Sequence, residues 1–234
     1  MFVNFSLRPI ELEASDKVAS MIEVSPKPEQ ELFALCAARL DGAGIAEVQR
    51  SLAFARSLKS TNSDHPAMHV YLSHPLRVAK MSLQLLSEPL AKTVSLALLH
   101  NVFEVSGLTE SDLLASGYDE HLARGIRLLT IDRKLQYDPA YLETFYGHIE
   151  NYGQELVLIK CVDRIDNLLA FQLIERTDRI KTYMELSDRF ITPMATRLAP
   201  ELGQYHADLI RHVTAVGCDE ALKARYDTFL AENS

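Results

Sequence analysis

The stretch Ser95-Leu-Ala-Leu-Leu-His100-Asn101-Val-Phe-Glu104 places three polar side chains at the end of an apolar run. The residues before His100 are apolar on nearly every face of a helix, which is typical of a helix buried at the centre of a domain. We therefore predict one central helix over residues 89–105. Glu104 lies four residues after His100 and three after Asn101, a spacing that puts these side chains on one helix face, towards a shared cavity.

A second polar position begins the helix after a turn-rich segment at residues 59–69, which we predict to be a surface loop. Pro75 suits the first turn of a helix, where its missing N–H is not needed. His74 should then lie at or beside the helix N-cap, with its imidazole free to point away. Arg77 and Lys80, farther along this helix, are equally consistent with surface charges and with phosphate contacts.

A third polar group interrupts a strongly apolar helix predicted over residues 155–175. Asp163 and Asn167 are four residues apart and therefore share a face. Lys160 lies one turn before Asp163, and Arg164 follows it directly. One face of this second central helix thus carries a carboxylate, an amide and a cation.

The whole chain predicts an all-α fold, because no strand–turn–strand signal or internal repeat competes with the helical patterns. We interpret residues 1–27 as an N-terminal extension, in which a loose alternation from Phe2 to Leu7 leaves room for a short strand, and residues 28–234 as one helical domain. The predicted helices are 28–41, 45–58, 75–86, 89–105, 109–117, 119–130, 139–151, 155–175, 178–198, 201–216 and 219–231.

Composition excludes several classes of protein. The 234 residues contain no run of about 20 apolar residues, the length that a membrane span requires, and no secretory signal is evident. Three scattered cysteines without a CxxC spacing indicate a reducing compartment, and we expect a soluble, cytoplasmic protein. The net charge of -8 repels phosphate backbones, so no nucleic-acid partner is expected. A small phosphorylated ligand stays compatible with this charge.

His74, His100 and Asp163 are two imidazoles and a carboxylate, each embedded in an apolar stretch of a different predicted helix. Buried ionisable groups are costly unless they are paired or bind a cation. Convergence of the three residues would therefore be explained by a divalent metal. For each residue taken singly, the alternative is a hydrogen-bonded core residue or a helix cap.

The order of these motifs carries a family resemblance. Tyr71-Leu-Ser-His-Pro-Leu-Arg-Val-Ala, Ala97-Leu-Leu-His-Asn-Val-Phe-Glu, Leu129-Thr130 and Val157-Leu-Ile-Lys-Cys-Val-Asp-Arg-Ile-Asp-Asn-Leu together resemble the HD-domain metal-dependent phosphohydrolases. Within that superfamily they look most like the guanosine tetraphosphate hydrolases of the stringent response. The resemblance is strongest over residues 50–200, and it implies an HD-type helical bundle.

The resemblance also implies site residues and a cofactor. It implies a divalent metal, usually manganese in such relatives, and a small nucleotide-like phosphate or pyrophosphate ester as the ligand. The implied metal ligands are His74, His100, Asn101 and Asp163. The implied catalytic residues are Glu104 and Asn167, and the implied substrate-binding residues are Lys160, Arg164 and Lys134.

Three departures from the family pattern leave the activity open. Asn101 stands where the family has the aspartate of its name, and Val105 stands where an acidic residue follows the catalytic glutamate. Losing a negative donor should weaken metal binding without abolishing it. The segment Asp64–Met68 lacks the basic, glycine-containing pattern that stacks on guanine. The alternatives to an active phosphohydrolase are a degenerate member that binds a nucleotide or a partner without hydrolysis, and a helical interaction protein with ordinary core histidines.

Overall fold

The computed structural model describes residues 6–59 and 68–233, and every regular element in these two ranges is helical. The predicted all-α class is therefore confirmed. The α-helices of the described residues are α1 Ile10–Ile22, α2 Lys27–Arg39, α3 Gly42–Ser57, α4 Met68–Tyr71, α5 Ser73–Leu85, α6 Ala91–Leu99, α7 Val102–Ser106, α8 Glu110–Ala115, α9 Glu120–Leu129, α10 Pro139–Tyr152, α11 Gln154–Leu169, α12 Asp178–Leu198, α13 Pro200–Val216 and α14 Glu220–Glu232.

Several helices start where the sequence supplies a capping side chain. Asp119 accepts from the backbone N–H of Leu122 at the start of α9. Asp138 does the same for the first turn of α10, which Pro139 opens, and Thr109 begins α8 with a capping box. These side chains satisfy backbone donors that have no partner inside the helix. The predicted bounds of these helices are accordingly confirmed to within a few residues.

Helix α11 lies at the centre of the bundle. It packs against α5 on one side and against α12 and α13 on another, while α6 packs between α3 and α5. Thirteen of the residues of α11 are buried, including both apolar and charged side chains. Because α5, α6 and α11 are neighbours, residues at the start of α5, the end of α6 and the middle of α11 can meet in the interior.

The predicted helix over residues 89–105 is wrong as a single element. It divides into α6 and α7, and Asn101 between them has φ -110° and ψ 8°, outside the helical region. The His100 imidazole donates to the carbonyl of Ala97, the acceptor that the Asn101 N–H would use in a continuing helix. A side chain that competes for a backbone carbonyl is a recognised cause of helix breaks.

The predicted N-terminal extension contains α1, which packs against α11 and α14. Its buried residues include Glu13 and Lys17, so this helix brings charges into the interior. The short strand for which Phe2–Leu7 leaves room falls mostly on residues 1–5, and the surface loop predicted at 59–69 falls mostly on residues 60–67, so both expectations lie largely outside the described residues. Pro75 lies in the first turn of α5, as predicted, but the N-cap is Leu72, so His74 is the second residue of the helix and not a residue at or beside the cap.

None of the helices formed by the described residues has both the length and the apolar character needed to cross a membrane.

Candidate metal centre

Three side chains converge at the junction of α5, α6 and α11. One ligand atom each from His74, His100 and Asp163 lies within 4.8 Å of the other two. The Nε2 atoms of His74 and His100 lie 3.3 and 3.6 Å from the same oxygen, Oδ1 of Asp163. The structure thus brings together the three residues that the sequence predicts to be the charged and imidazole ligands.

The orientation of the His100 ring is set by the backbone. Its Nδ1 lies 2.7 Å from the carbonyl oxygen of Ala97, which can only accept a hydrogen bond. Nδ1 therefore carries a proton, and when the ring is neutral its lone pair is on Nε2. That atom is buried and finds no hydrogen-bond partner among the described residues.

A carboxylate fixes the orientation of the His74 ring, again through an acceptor at Nδ1. Its Nδ1 lies 2.8 Å from Oδ2 of Asp166, and its Nε2 is likewise buried without a hydrogen-bond partner within the described part of the chain. Burial alone would lower the pKa of this imidazole, but the Asp163 and Asp166 carboxylates outweigh burial and raise that pKa above its ordinary value. The position therefore favours a cation, either a proton on the ring or a metal beside it.

Asp163 is 4% exposed and stays ionised. Burial acts to raise the pKa of its carboxyl, but the Lys160 ammonium holds that pKa well below its usual range. Oδ2 accepts from the Lys160 ammonium at 2.9 Å, and Oδ1 accepts from the Asn167 amide at 2.8 Å. Oδ1 is thus the oxygen that the amide and both Nε2 atoms share.

These residues fit a divalent cation. A lone pair of imidazole that faces a carboxylate oxygen at 3.3 Å is unfavourable unless a positive charge lies between them, and here two such lone pairs face one oxygen. Metal-bound histidines usually donate their second ring N–H to a carboxylate or a backbone carbonyl, and both rings do so. Two imidazoles and a carboxylate form a donor set that suits manganese, iron or zinc.

Asn101, the fourth predicted ligand, lies at the break between α6 and α7. It borders the same open cavity as His74, and its side chain hydrogen-bonds to the buried phenol of Tyr71. Burial raises the pKa of that phenol, so Tyr71 stays neutral. A neutral amide next to a neutral phenol supplies the site with polar atoms but no charge.

Glu104, the predicted catalytic acid, lines a small cavity of about 60 Å³ with Asp163 and Asn167. Its side chain is only 6% exposed, and it forms an ion pair with Arg133 at 2.7 Å. Arg133 itself is 53% exposed and also lines the small cavity, so the pair connects this cavity to the protein surface. Val105, by contrast, is fully buried, and its position does not offer a second acidic group to this cavity.

A larger cavity of about 460 Å³ opens beside His74 and Asn101. Its walls combine aromatic rings with cationic side chains, a mixture that suits a ligand with a planar group and negative charge. Arg179 is fixed by Tyr137, whose hydroxyl accepts from its Nε at 2.9 Å. The aromatic and cationic residues lining this cavity are Tyr71, Tyr137, Phe171, Tyr183, Tyr226, Lys17, Arg133 and Arg179.

Some of the predicted substrate-binding residues line a cavity in the structure, and one of them does not. Lys160 and Arg164 are buried and line the small cavity, and Asn167 lines both cavities. Burial acts to lower the pKa of Lys160, but the Asp163 charge outweighs it and raises that pKa, so Lys160 is a cation. Lys134 is exposed on the turn before α10 and lines neither cavity, whereas its neighbour Arg133 lines both.

The sequence patterns did not predict two features of the site region. Arg77 and Lys80, read as surface charges or phosphate contacts, are buried at 2% and 5% exposure and pair with carboxylates instead. Asp166 is fully buried and hydrogen-bonds to His74. The signal that could have found Asp166 is its position one turn after Asp163 on the same buried face of α11.

Comparison of the chain with models of known protein families, with curated proteins and with solved structures gives no match. The resemblance to the HD-domain phosphohydrolases therefore stays a prediction from the motifs.

Proposed function

We propose that the protein is a metal-dependent phosphohydrolase that acts on a nucleotide-like phosphate or pyrophosphate ester. The observation that carries the proposal is the pair of buried Nε2 atoms, from His74 and His100, directed at one oxygen of Asp163. This geometry favours a cation site over two ordinary core histidines, because a core histidine satisfies both of its ring nitrogens. A divalent cation bound there would supply an activated water and stabilise negative charge on a phosphoryl group.

The chain's own residues provide the rest of the chemistry. Lys160 holds Asp163 in its ionised form through Oδ2. Glu104 borders the small cavity with its carboxylate, from which an oxygen can accept the proton of the attacking water. Arg133 and Arg179 line the larger cavity, where guanidinium groups can bind phosphate oxygens in a bidentate manner.

The direct test is an assay of purified protein with Mn(II) against a panel of nucleoside phosphates and pyrophosphates, including guanosine tetraphosphate. We expect release of phosphate or pyrophosphate that requires the metal and is lost in His100→Ala. Turnover no greater than that of His100→Ala, with every substrate, would contradict the proposal.

A second candidate function is nucleotide or partner binding without hydrolysis, and two observations favour it. Asn101 contributes no charge, and the Glu104 carboxylate is engaged by Arg133. This alternative is supported if Asn101→Asp creates metal-dependent turnover that the wild type lacks. Asn101→Asp is the informative variant because Val105 is fully buried, so that Val105→Asp would bury an unpaired carboxylate.

A further inference from the structure

Asp166 connects the candidate metal centre to the N-terminal helix α1. Its carboxylate is fully buried, and it accepts from three side chains on two helices, α1 and α5. Oδ2 accepts from the Lys17 ammonium at 2.5 Å and from Nδ1 of His74 at 2.8 Å. Oδ1 accepts from Nε of Arg77 at 2.7 Å.

The charges in this cluster balance within the interior. Lys17 and Arg77 are the cations, and Asp166 and Glu13 are the anions, with Glu13 also accepting from Arg77. A buried carboxylate without such partners would neutralise itself by taking up a proton. The cations of α1 and α5 therefore keep Asp166 ionised, so that both of its oxygens act only as acceptors.

An acceptor at Nδ1 decides where His74 carries its proton. Because Asp166 Oδ2 can only accept, the ring must hold a proton on Nδ1. The opposite atom, Nε2, then directs its lone pair at Oδ1 of Asp163, 3.3 Å away. With the proton on Nε2 instead, the lone pair would be on Nδ1, which faces Asp166 and not Asp163.

We propose that Asp166 is a positioning residue that fixes the proton of His74 on Nδ1 and so leaves Nε2 for the metal, while Arg77 and Lys17 both bind the Asp166 carboxylate and Arg77 alone is sufficient to hold it. This inference rests on the proposed function for the identity of the cation. Through Lys17, helix α1 inside the predicted N-terminal extension contacts Asp166.

The variant that tests the proposal is Lys17→Met with Asp166→Asn. It removes one buried cation and one buried anion, so the cluster stays balanced through Arg77 and Glu13. An asparagine has only one acceptor oxygen, and the charged Arg77 takes it. The amide NH2 then faces His74, which must accept at Nδ1 and carry its proton on Nε2.

Two single variants serve as controls. Lys17→Met alone removes the same ammonium but leaves Asp166 bound to both His74 and Arg77. Lys80→Met removes a lysine of nearly equal burial, whose partner is Glu31 and which has no contact with Asp166. Circular dichroism and thermal unfolding establish that each variant is folded.

The first readout needs no metal. In long-range ¹H–¹⁵N spectra of the metal-free protein at about pH 9, where free imidazoles are neutral, we expect Nδ1 of His74 to be protonated in the wild type and in both control variants. We expect it to be unprotonated in the double variant. A His74 that keeps its proton on Nδ1 in the double variant, or that lacks it there in the wild type, would overturn the proposal.

The second readout is Mn(II) affinity, measured by titration of the metal alone. We expect the double variant to bind about 10- to 100-fold more weakly than the wild type, the usual effect of losing a partner of a metal-bound histidine. Lys17→Met should change the affinity by less than about threefold, since Asp166 is retained. Equal weakening by Lys17→Met would assign the effect to α1 packing and overturn the role of Asp166.

A wild type without Mn(II) affinity defeats the proposed function, and the ring spectra then still decide the role of Asp166.

Discussion

The two sides of Asp163 are built differently. One side, here called the imidazole side, consists of His74 and His100, whose Nε2 atoms are buried and whose rings are held at Nδ1 by fixed acceptors. The other, here called the break side, consists of Asn101, Glu104 and Arg133 around the junction of α6 and α7. The imidazole side favours a cation, whereas the break side is partly exposed and carries an amide and a paired carboxylate.

This difference separates binding from catalysis in physical terms. The imidazole side owes its geometry to the packing of α5, α6 and α11, so it is pre-organised before any ligand arrives. The break side depends on an ion pair with a half-exposed arginine, and such pairs contribute little to stability. We therefore expect changes on the imidazole side to affect metal binding strongly, and changes on the break side to affect substrate and rate.

The largest effect is expected from Asp163→Asn. The change removes the only charged ligand of the His74–His100–Asp163 group and leaves the buried Lys160 without its anion. Saturable Mn(II) binding should disappear, and the free energy of unfolding should fall by about 3–5 kcal/mol, as when one partner of a buried ion pair is removed. Metal titration and urea unfolding measure the two effects.

The matched control for that variant is Asp178→Asn, because the Asp178 side chain is 98% exposed at the start of α12. It should change stability by no more than about 0.5 kcal/mol. If Asp163→Asn lowers the free energy of unfolding no more than this control does, the imidazole side is not a charged site. The proposed difference between the imidazole side and the break side is then wrong.

The next effect is the pH dependence of the imidazole side. The pKa of His74 is raised in the folded, metal-free protein, so its stabilising contribution is present below the ordinary histidine pKa and is lost as pH rises through the higher folded value. A bound metal must displace that proton, so Mn(II) affinity should rise by up to about tenfold per pH unit in this range. His74→Gln should remove the pH dependence of metal-free stability. Thermal unfolding with and without Mn(II) across neutral to alkaline pH checks both, and a flat affinity would contradict the assignment.

A smaller effect is expected from Asn101→Asp on the break side. The new carboxylate adds a negative charge beside the site, a gross interaction of about 4 kcal/mol at 4 Å and an effective dielectric of 20 that desolvation mostly cancels. We expect Mn(II) to bind about tenfold more tightly. Asn151→Asp, an exposed position on α10, is the matched control and should leave the affinity unchanged. Weaker binding in Asn101→Asp would show that the amide, as the structure holds it, already serves the metal better.

The smallest effect on binding of the metal is expected from Arg133→Met. Arg133, the cation of the ion pair with Glu104, is half-exposed, so stability should change by less than about 1 kcal/mol and Mn(II) affinity should be unaffected. The substrate KM should rise by about tenfold, since a charge-assisted contact to phosphate is lost. The adjacent control Lys134→Met should leave KM unchanged, because Lys134 lines neither cavity among the described residues. An effect of Lys134→Met equal to that of Arg133→Met would restore the role that the resemblance implies for Lys134.

Features that depend on local rules, including the imidazole side, could be predicted from the sequence. Three helix starts could be predicted because a capping side chain acts within one turn of its own position; the capping residues are Thr109, Asp119 and Asp138. His74 and His100 could be proposed as partners because a polar residue embedded in an apolar helix must find a partner in the interior. Local rules were sufficient for most of the bundle and for the imidazole side.

What could not be predicted depends on contacts between distant segments. Helix α1 has a weak apolar pattern, since buried charges such as Lys17 occupy positions where a core helix would have apolar residues. The role of Asp166 appears only when Lys17 lies beside it, across 149 positions of the chain. The break at Asn101 results from one side-chain hydrogen bond, from His100 to Ala97, which no apolar periodicity encodes.

Equilibrium dialysis of the purified protein against Mn(II), followed by elemental analysis, is the most direct test of a metal site at His74, His100 and Asp163. We expect saturable binding of about one ion per chain in the wild type, as for a single site of this donor set, and its loss in His100→Ala. The absence of saturable binding in the wild type, or equal binding in His100→Ala, would contradict the assignment of this site.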